Sequence, residues 1–317
     1  MNLLDVYKEL NTEAKCLTFL EHMRWPDGVK CLACDSPRIT PITSKGRKNK
    51  KTGNVGPDRH LYQCNECRFQ FTATTGTIYH DTHMPLSKWF LAIALITESK
   101  KGISANQLSR ALGVQYRTAW HLAHRIRKAM VDTDRPKLRG IVEIDETYIG
   151  GKQRGNRGKL KNKDVVIGVR ERGGEVRYVQ TPDNKADTVY QVIADNVAKD
   201  AQAIMTDESP IYNFKDTQFR NVRHEQIKHK DRIYVRGDVH TNTVESAFSL
   251  FKRGLTGAFH SVSLKHLQRY LNEFSFRFNN RKDADLFALT VRRMALAGNL
   301  PYAKLVEETP FTPFIRP

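Results

Sequence analysis

The pairs Cys31-Leu-Ala-Cys34 and Cys64-Asn-Glu-Cys67, with 29 residues between them, leave the front of this chain few ways to fold. Each pair turns two thiolates to one side, and two such knuckles complete a tetrahedral site for one structural Zn²⁺. The strand-like pieces Leu61-Tyr-Gln and Arg68-Phe-Gln-Phe-Thr flank the second pair, as a zinc ribbon requires. A redox dithiol accounts for one pair but not for two, and buried unliganded thiols would not need this spacing. Cys16 falls outside the pattern, in a helix predicted over residues 11–23, and reads as a packed side chain. Thiols used in this way imply a reducing compartment. In a unit with little apolar sequence, the metal would supply most of the folding energy.

Charge narrows the partners. The 317 residues carry 52 Lys and Arg against 34 Asp and Glu, a formal net charge of +18. That excess suits a protein that neutralises many phosphates and is hard to reconcile with a cytosolic metabolic enzyme. No run of about 18 apolar residues is present, and Met1 to Glu9 lacks the basic-then-apolar pattern of a secretory signal. Two basic runs stand out. Lys45 to Lys51 has five basic residues in seven, and Lys152 to Lys163 has six with no acid. The second follows Asp145 closely, and Gly150-Gly151 allows it to bend, so Lys159 and Lys161 are expected to contact DNA without regard to sequence.

Between residues 84 and 132 the periodicity is helical. Pro85 suits a first helical turn, and Trp89, Phe90, Ile93, Ala94 and Ile96 form an apolar stripe. Ser104 to Leu112, a tight turn at Gly113, and Tyr116 to Met130 read as a helix-turn-helix. Its second helix would present Gln115, Tyr116, Arg117, His121 and Arg125 to a major groove, with Arg110, His124, Arg127 and Lys128 as basic flanks. A helical hairpin that only packs is the competing reading.

From Leu138 the pattern turns to strands. Ile141 to Ile144 is followed by a hairpin across Arg172-Gly-Gly, a helix at 186–198, a strand at 203–206, a weaker one at 219–224, and helices at 243–253 and 264–280. This is the element order of a ribonuclease-H-like α/β domain with a mixed sheet. The expected organisation is therefore multidomain: a zinc ribbon over 1–80, a helix-turn-helix region over 84–132, the α/β domain over 138–297, and a tail over 298–317.

Three carboxylates sit in this last domain in telling places. Asp145 ends the apolar run from Gly140, Asp207 ends another from Ala201, and Glu245 opens a helix that carries Lys252 two turns on. Two strand-end aspartates and a helical glutamate can converge on two divalent cations, Mg²⁺ or Mn²⁺, which drive in-line displacement at phosphate. Strand alternation turns Glu146 away from Asp145, whereas Glu143 shares its face and stays open as an alternative ligand. Glu208 and Asp238 are further neighbouring acids.

These features resemble a DDE-type insertion-sequence transposase of the IS1595 or ISXO2-like family, which joins an N-terminal zinc ribbon to a ribonuclease-H-like catalytic domain. The carriers are the cysteine pairs, Glu143-Ile-Asp145-Glu-Thr-Tyr-Ile-Gly-Gly-Lys152, Thr206-Asp207-Glu-Ser, His240-Thr-Asn-Thr-Val-Glu245-Ser, Lys252-Arg-Gly254, and Phe276-Arg-Phe-Asn-Asn-Arg281. The resemblance implies that Asp145, Asp207 and Glu245 are the metal-binding triad and Lys252 the associated basic residue. It also implies binding to the terminal inverted repeats of the element, strand cleavage and transfer, double-stranded DNA as partner, a homo-oligomer on DNA, and a place on the nucleoid in bacterial cytoplasm. Two rivals remain at this stage: a nuclease or resolvase that cuts without joining, and a zinc-ribbon DNA-binding regulator without activity.

Overall fold

The computed structural model describes residues 1–45, 59–132, 134–150, 163–214, 217–227 and 237–307. The chain begins with α1 (Leu3–Glu9), closed by a capping box between Asn2 and Asp5, and α2 (Glu13–Arg24), capped by Thr12. A three-stranded antiparallel ribbon follows: β1 (Ile39–Ser44), β2 (Arg59–Cys64) and β3 (Gln70–Phe71). Its own small core joins Cys31, Cys64 and Phe71 to Trp25, Val29, Ile39 and Tyr62. Then come α3 (Leu86–Glu98), α4 (Ala105–Leu112) and α5 (Tyr116–Ala129).

The α/β part is one five-stranded sheet. It contains β4 (Ile141–Gly150), β5 (Lys163–Glu171), β6 (Val176–Thr181), β7 (Ala203–Asp207) and β8 (Arg223–Ile227), in the order β6-β5-β4-β7-β8. The β4-β5-β6 meander is antiparallel, while β7 and β8 run parallel to β4. The connection from β6 through α6 (Ala186–Asn196) to β7 places that helix on one face, where Val189 and Ile193 pack on Val142, Ile144 and Ile167. After β8 come α7 (Asn242–Gly254), a π-helical turn (Leu255–Phe259) and α8 (Leu264–Asn279). These cover the other face, with Phe248, Phe251, Leu271 and Phe274 against Val166, Val176 and Tyr178. Alternation along the strands explains the division, because Ile167 and Val169 face α6 while Val166 faces α7.

The last helices, α9 (Leu286–Leu296) and α10 (Tyr302–Val306), return to the front of the molecule. Phe287, Val291 and Met294 of α9 share one core with Leu20 of α2 and Phe90 and Ile93 of α3. α1 and α2 thus belong to the helical core and not to the ribbon, and α9 packs there and not on the sheet. The strand expected at 219–224 begins later, at Arg223, because Phe219 turns into the core beneath α6 instead of pairing. Among the described residues no helix is long and apolar enough to cross a membrane.

Candidate active site

The front of the molecule holds a closed thiolate site. Cys31 Sγ lies 3.5 Å from Cys67 Sγ, and Cys34 Sγ lies 3.6 Å from Cys64 and 3.5 Å from Cys67. A tetrahedron with Zn–S bonds near 2.3 Å has edges of about 3.8 Å, so the four sulfurs fit one zinc ion. The two knuckles are built alike. Asp35 and Arg68, each directly after the second cysteine of its pair, take left-handed φ values of 56° and 62°, and their N–H groups donate to the carbonyls of Cys31 and Cys64. Cys16 is elsewhere: its thiol is buried, donates to the Leu10 carbonyl, and is pushed up to about 12 by burial.

The carboxylates meet at the sheet. The parallel register of β4 on β7 pairs Glu143 with Met205, so two residues further along, Asp145 and Asp207 end side by side on neighbouring strands and on the same face. That is the face covered by α7, which carries Glu245 in its first turn and Lys252 in its last; Asp207 ends β7 as expected, whereas β4 runs on to Gly150 and leaves Asp145 in mid-strand. Gly168 pairs with Asp145 across β5. A Cβ there would lie 2.6 Å from the Phe248 ring, so only glycine lets α7 come down this close. Asp145, Glu245 and Lys252 line one open cleft of 630 Å³. Asp207 stands beside it, its Oδ1 accepting from the Ser209 N–H at 3.0 Å.

The electrostatics of the cleft favour a bound cation. The Asp145 carboxyl is pushed up to about 7, first by burial, then by the charge of Glu146, with Glu245 and Asp207 adding to it. Positive charge brought into the cleft would relieve both effects. Among the described residues, only the four cysteines gather three or more ligand atoms all within 4.8 Å of one another. The carboxylates of the cleft are not gathered so closely. Glu146, turned to the opposite face as strand alternation requires, accepts from the Tyr212 hydroxyl. It nevertheless lines the cleft and acts on Asp145. Asp238 is held by Arg223 at 3.0 and 3.1 Å.

Glu143 has a different task from the one left open for it. It is fully buried, and its Oε2 accepts from the Thr243 N–H (2.8 Å), the Thr243 hydroxyl (2.7 Å) and the Val244 N–H (3.1 Å). Its Oε1 accepts from Arg172 Nε at 2.6 Å and lies 3.1 Å from His240 Nδ1. A carboxylate so placed at the N-terminus of α7 pins the helix that carries Glu245 onto the strand that carries Asp145. Glu143→Gln would set an NH₂ group against donors. The expected result is a loss of cleavage on the order of 10²-fold, as for a misplaced catalytic group, together with a lower melting temperature. Single-turnover cleavage and a thermal melt check it, and wild-type values in both would remove the clamp.

The helical residues divide. Gln115, Tyr116 and Arg117 are exposed at the start of α5, and Arg110 is exposed on α4. Of the two further residues expected to face a groove, His121 is half-buried beside Arg117 and Arg125 is buried as an internal brace. His121 Nε2 is 3.0 Å from the Leu300 carbonyl. Arg125 is buried over the Trp89 ring and donates to the carbonyls of Ile78 and His80. His124 and Arg127 are likewise buried, the latter against Glu273 at 2.6 Å, and Lys128 donates to the Asn299 carbonyl at 2.8 Å. Lys159 and Lys161 lie outside the described residues, as does the run from Lys45 to Lys51 apart from Lys45.

Residues 137–279 match the model of the ISXO2-like transposase domain, and residues 11–70 match that of the transposase zinc-ribbon domain. A protein of Halobacterium salinarum described as an uncharacterized protein in transposable element ISH50 is 28% identical over 286 residues, spanning 85% of this chain and 92% of its own length.

Proposed function

The chain belongs to the ISXO2-like family of insertion-sequence transposases, and on that premise we propose that it binds the terminal inverted repeats of its element, cuts the DNA there and joins the freed end to target DNA. The observation that carries this reading is that Asp145 lines one cleft with Glu245 and Lys252 of α7, while Asp207, on the adjacent parallel strand, is near enough for its charge to act on Asp145. The sheet order, with its antiparallel meander and two parallel strands, supports a ribonuclease-H-like catalytic domain, and α4 and α5 support a helix-turn-helix.

In this reading Asp145, Asp207 and Glu245 hold two Mg²⁺ or Mn²⁺ ions. Bound there, the ions supply positive charge to the attacking and leaving oxygens of an in-line displacement. The residues do the rest. The β4–β7 register fixes the two aspartates relative to each other, while Glu143 and the close approach over Gly168 fix Glu245 relative to both. Lys252, exposed at the cleft two turns from Glu245, steadies a phosphate oxygen near the scissile bond. Because cutting and joining are both phosphoryl transfers, one cleft serves both. Gln115, Tyr116 and Arg117 read the element end, and the chain works as a homo-oligomer on DNA.

The test is to incubate the protein with DNA carrying the element's end, a target duplex and Mg²⁺. A joined product is expected. Cutting without joining would leave a nuclease, and no cutting in Mg²⁺ or Mn²⁺ would leave a DNA-binding protein. Affinity for end DNA should also fall steeply with salt, by roughly 10³-fold from 50 to 200 mM, because many phosphates are neutralised. Arg117→Ala should erode the preference for the end over unrelated DNA, whereas Arg125→Ala should act through stability alone. Binding indifferent to salt would contradict the DNA assignment.

A further inference from the structure

We propose that Lys101, in the turn between α3 and α4, is a phosphate-contacting residue of the catalytic cleft, supplied by the helical layer and not by the sheet. This rests on the reading that the cleft cuts DNA. Lys101 is exposed and lines the cleft together with Asp145, Glu245, Lys252 and Arg253, although it precedes Asp145 by a whole helix-turn-helix. The lining is polarised. Acids come from the sheet and the first turn of α7, while the cations Lys101, Lys252 and Arg253 come from the turn and the last turn of α7. A phosphodiester beside a divalent cation needs that division, with carboxylates for the metal and ammonium or guanidinium groups for the non-bridging oxygens.

The turn is not free to wander. At Gly254, just after Lys252 and Arg253, a Cβ would lie 2.7 Å from the Lys101 carbonyl oxygen and 2.4 Å from the Phe274 ring, so the backbone of the turn rests directly on the end of α7. The Phe259 ring presses on Gly102 with the same closeness. From α8, Arg277 donates to the Ser99 carbonyl, and Glu273 ties Arg277 to Arg127 of α5. On the far side of the turn, Ser104 caps α4 through the Gln107 N–H at 3.1 Å. The backbone at Lys101 is therefore held against the end of α7 that carries Lys252, and it sits three residues from the helix pair proposed to read the element end.

The experiment uses the full chain, end DNA with a single neutral methylphosphonate placed in turn at each phosphate around the cut, and the variants Lys101→Ala and Lys101→Arg. On unmodified DNA, Lys101→Ala should slow single-turnover cleavage by about 10- to 100-fold, the range for loss of a charge-assisted hydrogen bond. Lys101→Arg should recover most of the rate, and the salt slope of end binding should fall by about one in the alanine variant. At one phosphate the methylphosphonate should slow the wild type and leave Lys101→Ala no slower than before, an equality that a purely structural role would not produce. Wild-type cleavage by Lys101→Ala, or additive losses at every phosphate, would overturn the proposal while leaving the transposase reading intact. A wild-type chain that cuts no end DNA would overturn both.

Discussion

Asp207→Asn should fold, bind end DNA as the wild type does, and fail to cut it. The substitution keeps the shape of the side chain and removes the charge, and a loss of 10³-fold or more is expected because several kcal/mol of transition-state charge stabilisation goes with the ion (about that scale for a metal acting at phosphoryl oxygen). Asp145→Asn and Glu245→Gln should lose as much, in cutting and joining alike. The effects should not add, since the site is already disabled by the loss of one ligand. Asp200→Asn, on an exposed pair with Arg139, should cut at the wild-type rate. Asp145→Asn carries a second signature. Its carboxyl sits at about 7, raised by burial and by the charge of Glu146. A carboxylate raised in the fold favours the folded state when protonated, so wild-type stability should decline as pH climbs from the ordinary aspartate range through about 7. Without divalent cation, Asp145→Asn should therefore melt higher than the wild type at pH 8 and equal to it at pH 3. Mg²⁺ should raise the wild-type melting temperature and leave the variant's unmoved. A variant that cuts, or a melting difference of opposite sign, would place the metal elsewhere.

The parts of this site that were legible in the sequence are those that leave a local trace. Apolar runs read as strands that carry Asp145 and Asp207, although β4 runs on past Asp145 to Gly150, and the spacing of seven from Glu245 to Lys252 reads as two turns of one helix face. The cysteine spacing announced its own geometry, and the hairpin around Gly173 announced its turn. What escaped depends on partners distant in sequence. Glu143 stays open as an alternative ligand until the chain a hundred residues on folds back to give it two amides and a hydroxyl. Arg125 and Arg127 read as basic residues on a recognition helix, yet Trp89, Tyr270 and Glu273 provide a ring face or a carboxylate to bury them. Long basic side chains carry apolar stems, so periodicity alone does not separate a DNA contact from an interior brace. α1 and β1 were missed for a related reason. Each is short and only partly apolar, and α1 is held mainly by its contact with α3, while β1 is held by pairing with β2. The position of α9 follows the same rule, since nothing near Phe287 shows that Leu20 and Phe90 will surround it. Lys101 is the extreme case, the second of two adjacent lysines, whose proposed role comes from where Gly254 lets its backbone rest.

Withdrawing zinc should unfold the ribbon and spare the rest of the molecule. The ribbon's interior is small, with Phe71, Tyr62, Trp25, Val29 and Ile39 around the cysteines, and β3 is only two residues long. Such a unit depends on its metal for most of its folding energy. The helical layer does not, because α1 and α2 share the large core of α3, α5 and α9. The Cys64 thiol is held down at about 6, chiefly by the Cys67 N–H, while burial and the neighbouring thiols push Cys34 and Cys67 up, so zinc capture by the set releases protons. Metal analysis of the full chain should find one zinc, and Cys31→Ser or Cys67→Ser should bind none, whereas Cys16→Ser, outside the site, should keep it. After chelation, amide exchange should rise by orders of magnitude across β1, β2 and β3 and change little in β4 and β7. Trp25 fluorescence should shift as its packing against Tyr62 and Phe71 is lost. Acid should mimic the chelator, because protons compete with zinc for the thiolates and metal binding weakens as pH falls. A chelated chain whose β2 amides stay protected would mean that the aromatic cluster alone holds the ribbon and that the four sulfurs are not its keystone.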